Sequence, residues 1–393
     1  MRTRNEDLLV GLAVMALSGL AWWTPGVARA CGGFFTETTE ETELVDTNDQ
    51  RILYVIDGTT VAQHVQVAYT GQVERIAWVY PVAGNPTVTE GRASVFDEAD
   101  ELTRPRFTIT TFHEGDGGGG GGDGCGCFGM ASDSAAPGDW SDEEQVEDVH
   151  VWSSGQVGLF DYVVLSAESV DPLTEWLSTN GFAIPEEAGP VMAHYVAADW
   201  FFVAMRISAE EASSADASTS TVVFTYESET PMFPLHMASL SSADSVSVLV
   251  YVLSDLAYET EGLPSRRLDT SLLHATSSST TNYDGVFQEA VNRDDERGFA
   301  IEAVMNAGEL TSAVGWEGDG SPVITRLRSV LDVADMTTDV TLVAAASLTM
   351  HEPVYSLSYD GEASARPPRR PGVALAGLTL VVFFTFRRLR RPT

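Results

Sequence analysis

The residues with the most reactive chemistry lie together near the first third of the chain. His113 is followed by six consecutive glycines, 117–122, and then by Cys125-Gly126-Cys127; the third cysteine is Cys31. Three chemistries fit this pattern. The first is a disulfide from Cys31 to Cys125 or Cys127, which would close a long loop and stabilise the fold by roughly 4–5 kcal/mol in the chain-entropy model. A Cys125–Cys127 ring is the smaller and more strained version, and any single pairing leaves one thiol over. The second is a zinc or copper site using His113, Cys125 and Cys127, completed by His150 or Cys31, because soft thiolates with imidazole suit those ions. Against it, Cys-x-Cys lacks the spacing of a structural zinc knuckle and no second close pair follows. The third is a reactive thiol, which the neighbouring Asp116 and Asp123 oppose by disfavouring the thiolate. In all three readings the glycines give slack.

Other catalytic signatures are absent. There is no G-x-S-x-G, H-E-x-x-H or Walker loop, and the glycine run matches a dinucleotide fingerprint by composition alone, with no helix behind it to hold a pyrophosphate. His64, His194, His236, His274 and His351 are scattered singly. The acidic clusters at 142–148 and 292–298 hold enough carboxylates for weak calcium binding but lack the ligand spacing of an EF-hand loop, so they read as solvated surface. Trp152, Trp176, Trp200 and Tyr195 could line a sugar platform; core packing is the expected role for most of them. No catalytic residue and no cofactor follow from these patterns; zinc or copper at the Cys-Gly-Cys segment and calcium at the acidic clusters are the ions considered.

The two ends of the chain set its expected compartment. Arg2 and Arg4 precede an apolar run from Leu8 to Trp23, and Ala28-Arg29-Ala30 follows, the three-part pattern of a secretory signal peptide over residues 1–30. Cleavage there makes Cys31 the first mature residue; Ala28 and Arg29 suit simple cleavage better than lipid attachment. At the other end a Pro/Arg linker (361–371) leads to an uncharged, mostly apolar run, Gly372 to Phe386, capped by Arg387, Arg388, Arg390 and Arg391. The run is short for a transmembrane segment, and snorkelling arginines or a thin bilayer would accommodate it. The arginines place residues 387–393 in the cytoplasm and the ectodomain, residues 31–360, outside. A plain anchor fits better than a processed sorting tail, since no sorting motif precedes the run.

The chain has 57 acidic and 22 basic residues, a formal net charge of −35, and every basic residue is arginine. Residues 1–30 hold three Arg and two acids, and residues 366–393 hold seven Arg and none, which leaves 12 Arg against 55 acids between them. So acidic a body repels nucleic acid and anionic lipid. It favours a cationic ion or a cationic protein surface as partner, or simply a salty extracellular habitat. With 44% hydrophobic residues it still forms a core.

The elements that must position these residues are mainly strands. "RILYVID", "VAQHVQVAYT" and "VERIAWVYPV" are separated by Gly-containing turns and read as an antiparallel meander. A helix follows in "SVFDEADELTRP", ended by Pro105, and then the strand "RFTITTFHE". The glycine-rich loop spans 115–142. "EDVHVW" and "VGLFDYVVLSA" are strands, and "DPLTEWLSTNG" is a helix with Asp171 as N-cap and Gly181 as stop. "PVMAHYVAADW" is a second helix, "WFFVAMRIS" a central strand. Strands recur at "TVVFTYES", "MFPLHMASL", "VSVLVYVLS" and "DVTLVAAASLTM", with helices at 283–297 and in "PVITRLRSVLDVADM". The expected class is α+β, predominantly antiparallel β with a few packed helices.

"CGGFF", "IAWVYPV" with "VFDEADELTRPR", "VVLSAESVDPLTEWLSTNGFAIP" and "HYVAADWFFVAMRI" resemble the bacterial family catalogued as domain of unknown function 2330. "PMFPLHMASL" and "TRLRSVLDVADMTTDVTL" are similar to it as well. The resemblance implies secretion and an envelope location, and it implies no activity. The resulting expectation is a membrane-anchored, acidic, non-enzymatic binding or structural protein of the cell envelope. The alternatives are an extracytoplasmic hydrolase with an unrecognised site, or a metal or redox protein using the Cys-Gly-Cys loop.

Overall fold

The computed structural model describes residues 27–29, 33–36, 49–70, 76–111, 148–207, 218–240, 244–318 and 320–359. It opens with two short strands, β1 (Val27–Arg29) and β2 (Gly33–Thr36), and a hairpin, β3 (Asp49–Asp57) and β4 (Thr60–Thr70). β5 (Ile76–Val82), β6 (Thr87–Glu90), α1 (Val95–Thr103) and β7 (Arg106–Thr111) follow. A second hairpin, β8 (Val149–Val157) and β9 (Phe160–Ala167), leads into α2 (Val170–Thr179), α3 (Ala188–Ala197) and β10 (Phe201–Ile207). Then come β11 (Ser218–Glu227), β12 (Met232–Phe233), α4 (Leu235–Ala238), β13 (Ser245–Ser254), β14 (Tyr258–Glu261) and β15 (Ser265–Arg267). The last elements are α5 (Tyr283–Val291), β16 (Phe299–Asn306), α6 (Leu310–Ala313), β17 (Val323–Asp332), β18 (Val340–Ala344) and β19 (Val354–Tyr359).

A nine-stranded mixed sheet runs β15-β16-β17-β13-β3-β4-β11-β6, with β1 also paired to β4. A five-stranded, wholly antiparallel sheet runs β2-β5-β10-β9-β8. β12-β18-β14 make a small third sheet and β19-β7 a parallel pair. Strand alternation explains how these stack. On β5, Trp78, Tyr80 and Val82 point into the space between the two large sheets, while Ala77 and Val79 point the other way, under α2 and α3. On β3, Ile52, Tyr54 and Ile56 face inward, and Leu53 and Val55 pack under α1. The body is therefore helix on sheet on sheet on helix, and each large sheet is buried on both faces. Fully burying one such side chain stabilises by about 1.5–3 kcal/mol.

The class expected from the sequence holds: the described residues are β-dominated α+β, with six α-helices. Several elements differ. "PVITRLRSVLDVADM" is the strand β17 followed by a 3-10 turn at Val333–Asp335, not a helix. Leu327 and Leu331 face one core and Ile324 and Val330 the other, so a two-sided strand loses its period of two and mimics a helix. "MFPLHMASL" contributes only two strand residues, because Pro234 cannot extend the ladder and turns the chain into α4. The third strand of the expected meander, β5, crosses to the five-stranded sheet instead of pairing with β4. α2 starts earlier than expected, with Ser169 rather than Asp171 as N-cap; Gly181, at φ 88°, does stop it. α5 ends at Val291. No described helix is long and apolar enough to cross a membrane; residues 372–386 and the apolar run of the expected signal peptide, 8–23, lie outside the described residues.

On the outer face of the nine-stranded sheet a buried charge network fastens the helices. Glu302 is fully buried on β16 and accepts from Nε of Arg326 at 2.6 Å and from the Tyr283 hydroxyl. Arg326 Nη1 also donates to Asp100 on α1 at 2.6 Å and to Tyr251 at 3.2 Å. Burial, with Glu302 adding to it, pushes the Tyr283 phenol up, so it stays a donor. Removing one partner of such a pair leaves an uncompensated buried charge. Arg326→Met is expected to destabilise by about 3–5 kcal/mol in denaturant unfolding, while adding Glu302→Leu to it recovers most of that loss.

Candidate functional site

Two of the three non-glycine residues with positive φ among the described residues border one cleft. β8 is the edge strand of its sheet, and its pairing with β9 slips between Val151 and Ser153, which makes Trp152 the extra residue of a β-bulge. Bulges re-aim side chains, and Trp152 is 48% exposed. It is held in place: Nε1 donates to Ser166 Oγ at 2.8 Å, His150 meets its ring edge-on at 4.5 Å, and Phe201 at 5.4 Å. Beside it opens a cleft of about 470 Å³, lined by Asp148, His150, Glu168, Asp199, Trp200 and Phe201 among others. Asp148 (φ 76°) and Asp199 (φ 56°) both sit in the left-handed region, a conformation uncommon for residues other than glycine. Asp148 precedes β8, its carbonyl taking the Glu168 N–H at 3.2 Å; Asp199 ends the α3 turn. Such strain concentrates at functional positions. Three carboxylates line the cleft beside the exposed Trp152 indole, with no lysine or arginine among the lining residues.

A second groove of about 750 Å³ lies between α1 and α6, lined by the apolar Leu102, Ala307 and Leu310, by Asp97, Glu98, Glu101 and Glu309, and by Arg106.

The structure divides the candidates read from the sequence. His113, Cys31, Cys125 and Cys127 lie outside the described residues. His150 joins the cleft rather than a cysteine site. Of the aromatic candidates, Trp176, Trp200 and Tyr195 are core residues, and Trp152 alone is exposed. In the 292–298 cluster, Glu296 pairs with Arg266 at 2.9 Å and Arg297 with Asp332 at 2.7 Å, which makes it an ion-paired surface. Asp148 is the described member of the 142–148 cluster and lines the cleft. Among the described residues no three of His, Cys, Asp and Glu are already gathered around a metal position. His274 and His351 make local contacts, to the Leu272 carbonyl and the Tyr355 hydroxyl. His194 and His236, by contrast, come together, 5.6 Å between ring centroids, beside Asp339. The sequence held no sign of that meeting, since the three residues lie on α3, on α4 and just before β18. The bulge at Trp152 was equally unreadable, because it follows from the register of β9.

Fold and cleft together define a layered α+β protein with an acidic, aromatic edge. The chain belongs to a family described as an uncharacterized protein conserved in bacteria, domain of unknown function 2330, which it matches over residues 25–318. No curated protein matches it. Among solved structures it is similar to baculovirus P35 at 10% identity, over 76% of this chain and 96% of that one, with a TM-score of 0.30; a likeness that low carries no argument.

His64, on β4, is buried, and neither ring nitrogen has a hydrogen-bond partner. Burial lowers its pKa from 6.5 to about 4. The unfolded chain then binds a proton that the folded one excludes, so the loss of stability starts as pH falls through 6.5 and is complete below about 4. At about 1.4 kcal/mol per unit the effect is about 3 kcal/mol. His64→Leu is expected to flatten the stability profile over that window by this amount, measured by urea unfolding at a series of pH values.

Proposed function

We propose that the protein is an exported, membrane-tethered binding protein of the cell envelope whose acidic body takes a cationic, extended segment of a protein partner along the β8 edge. The observation that carries this reading is the bulged Trp152 standing beside Asp148, Glu168 and Asp199 on an open strand edge. An edge strand offers unpaired backbone groups to an added strand. Carboxylates and an indole face offer partners to lysine or arginine side chains, with cation–π contact contributing about 0.5–2 kcal/mol. The net charge of −35 would steer such a partner and speed its encounter. Export and anchoring rest on the signal-like residues 1–30 and on the arginine-capped apolar run at 372–386.

Two measurements check this. Cell fractionation with external protease should find the chain in the membrane fraction with residues 31–360 cleavable from outside, and removal of residues 366–393 should release it. A cytoplasmic, protease-protected chain would sink the export reading. Titration with an extended arginine-containing peptide, read by tryptophan fluorescence, should show binding that weakens with salt and drops about 3- to 30-fold in Trp152→Ala. Equal binding of a neutral peptide, or an unchanged affinity in Trp152→Ala, would refute the cleft as the site.

A further inference from the structure

Next to the cleft, where α3, α4 and the start of β18 meet, one carboxylate is short of a partner. The Asp339 side chain is 2% exposed. Its Oδ1 accepts from the Tyr195 hydroxyl at 2.8 Å and from the His236 backbone N–H at 2.9 Å. Its Oδ2 is buried with no hydrogen bond. The nearest side-chain nitrogen is Nε2 of His194, at 3.5 Å, too far for a good hydrogen bond. Buried acceptors are rarely left so. The Nδ1 of His236 is also buried and unpartnered.

We propose that His194, His236 and Asp339 bind a divalent transition-metal ion of the zinc class. Two ligand atoms at about 2.0–2.2 Å from one ion, at a tetrahedral angle, are about 3.3–3.6 Å apart. The 3.5 Å between His194 Nε2 and Asp339 Oδ2 is that separation. The centroids of two imidazoles on one ion stand roughly 5 Å apart, and here the distance is 5.6 Å. Without an ion the three side chains stop short of a common point, and the ion gathers them; His194, half exposed on the last turn of α3, is the one able to turn. The outer partners that orient the carboxylate are already present. Tyr195 donates to Oδ1 and is itself held by the Met237 N–H at 2.9 Å, the arrangement that fixes ligands in metal sites. The proposed ligand set includes no cysteine and no residue that lines the β8 cleft.

The test uses the full chain in detergent, titrated with Zn²⁺ by calorimetry and with Co²⁺ by visible absorption. One ion per chain is expected. His194→Ala and His236→Ala should each weaken binding more than about 100-fold, and Tyr195→Phe about 10–100-fold with stoichiometry kept. Cys31→Ser, Cys125→Ser and Cys127→Ser together should leave the affinity unchanged. Absence of stoichiometric binding, binding indifferent to His194→Ala, or binding lost in the triple cysteine variant would each overturn the proposal. His194 is exposed, so its variant reports on the ion rather than on folding.

Discussion

The architecture depends on one buried amide between the two large sheets. Gln63 on β4 is 1% exposed and faces the layer that holds Trp78, Tyr80 and Phe224. Its Nε2 donates to the Tyr54 hydroxyl at 2.8 Å and to the Tyr80 hydroxyl, and its Oε1 accepts from Tyr226 at 3.2 Å. Tyr54 in turn donates to the Met232 carbonyl at 2.9 Å. Three strands of the nine-stranded sheet, β5 of the five-stranded sheet and β12 of the small sheet thereby share a single hydrogen-bonded node. Around it Trp78, Tyr80 and Phe224 pack with ring centroids 5.2–6.0 Å apart. An apolar layer alone would let the sheets slide. A polar group there must find its partners, and only one register supplies them.

From that node the remaining positions follow outward. With β5 fixed, β10 and β9 take their register, and β8 is left as the edge that carries the bulge. The opposite face of β10 seats α3, whose Tyr195 packs against Trp200 at 5.2 Å and reaches Asp339. The edge cleft and the imidazole–carboxylate cluster are thus two outlets of one rigid sheet, joined through Tyr195 and Trp200.

Much of this was legible in the residues. The hairpin strands around Gly58 and the central apolar strand at 201–207 are stated by their composition, and so is α1 with its Val95, Phe96 and Ala99 stripe. One miss has a general cause: where both faces of a strand are buried, the period disappears. β17 shows this most clearly: its apolar residues face two cores, and Arg326 between them is buried against Glu302. The candidate sites were largely hidden. Their members are far apart in the chain, and a bulge is a property of two strands rather than of one. The acidic bias is a property of the whole chain; it bears on the charge of a partner and says nothing of where that partner would sit.

The parallel seam between β3 and β13 has a consequence for how the chain is made. Ser247 lies opposite Asp49 and Leu253 opposite Val55, so one side of β3 stays unpaired until residues 245–254 arrive. At about 5–20 residues per second that interval is on the order of 10–40 s. Throughout it the nascent chain presents a bare ladder bordered by Ile52, Leu53 and Val55, the kind of edge that templates aggregation. Long-range seams of this type also slow folding itself. The excess of carboxylates then acts before there is any folded surface to solvate: it holds two unfinished copies apart while each waits for its own β13.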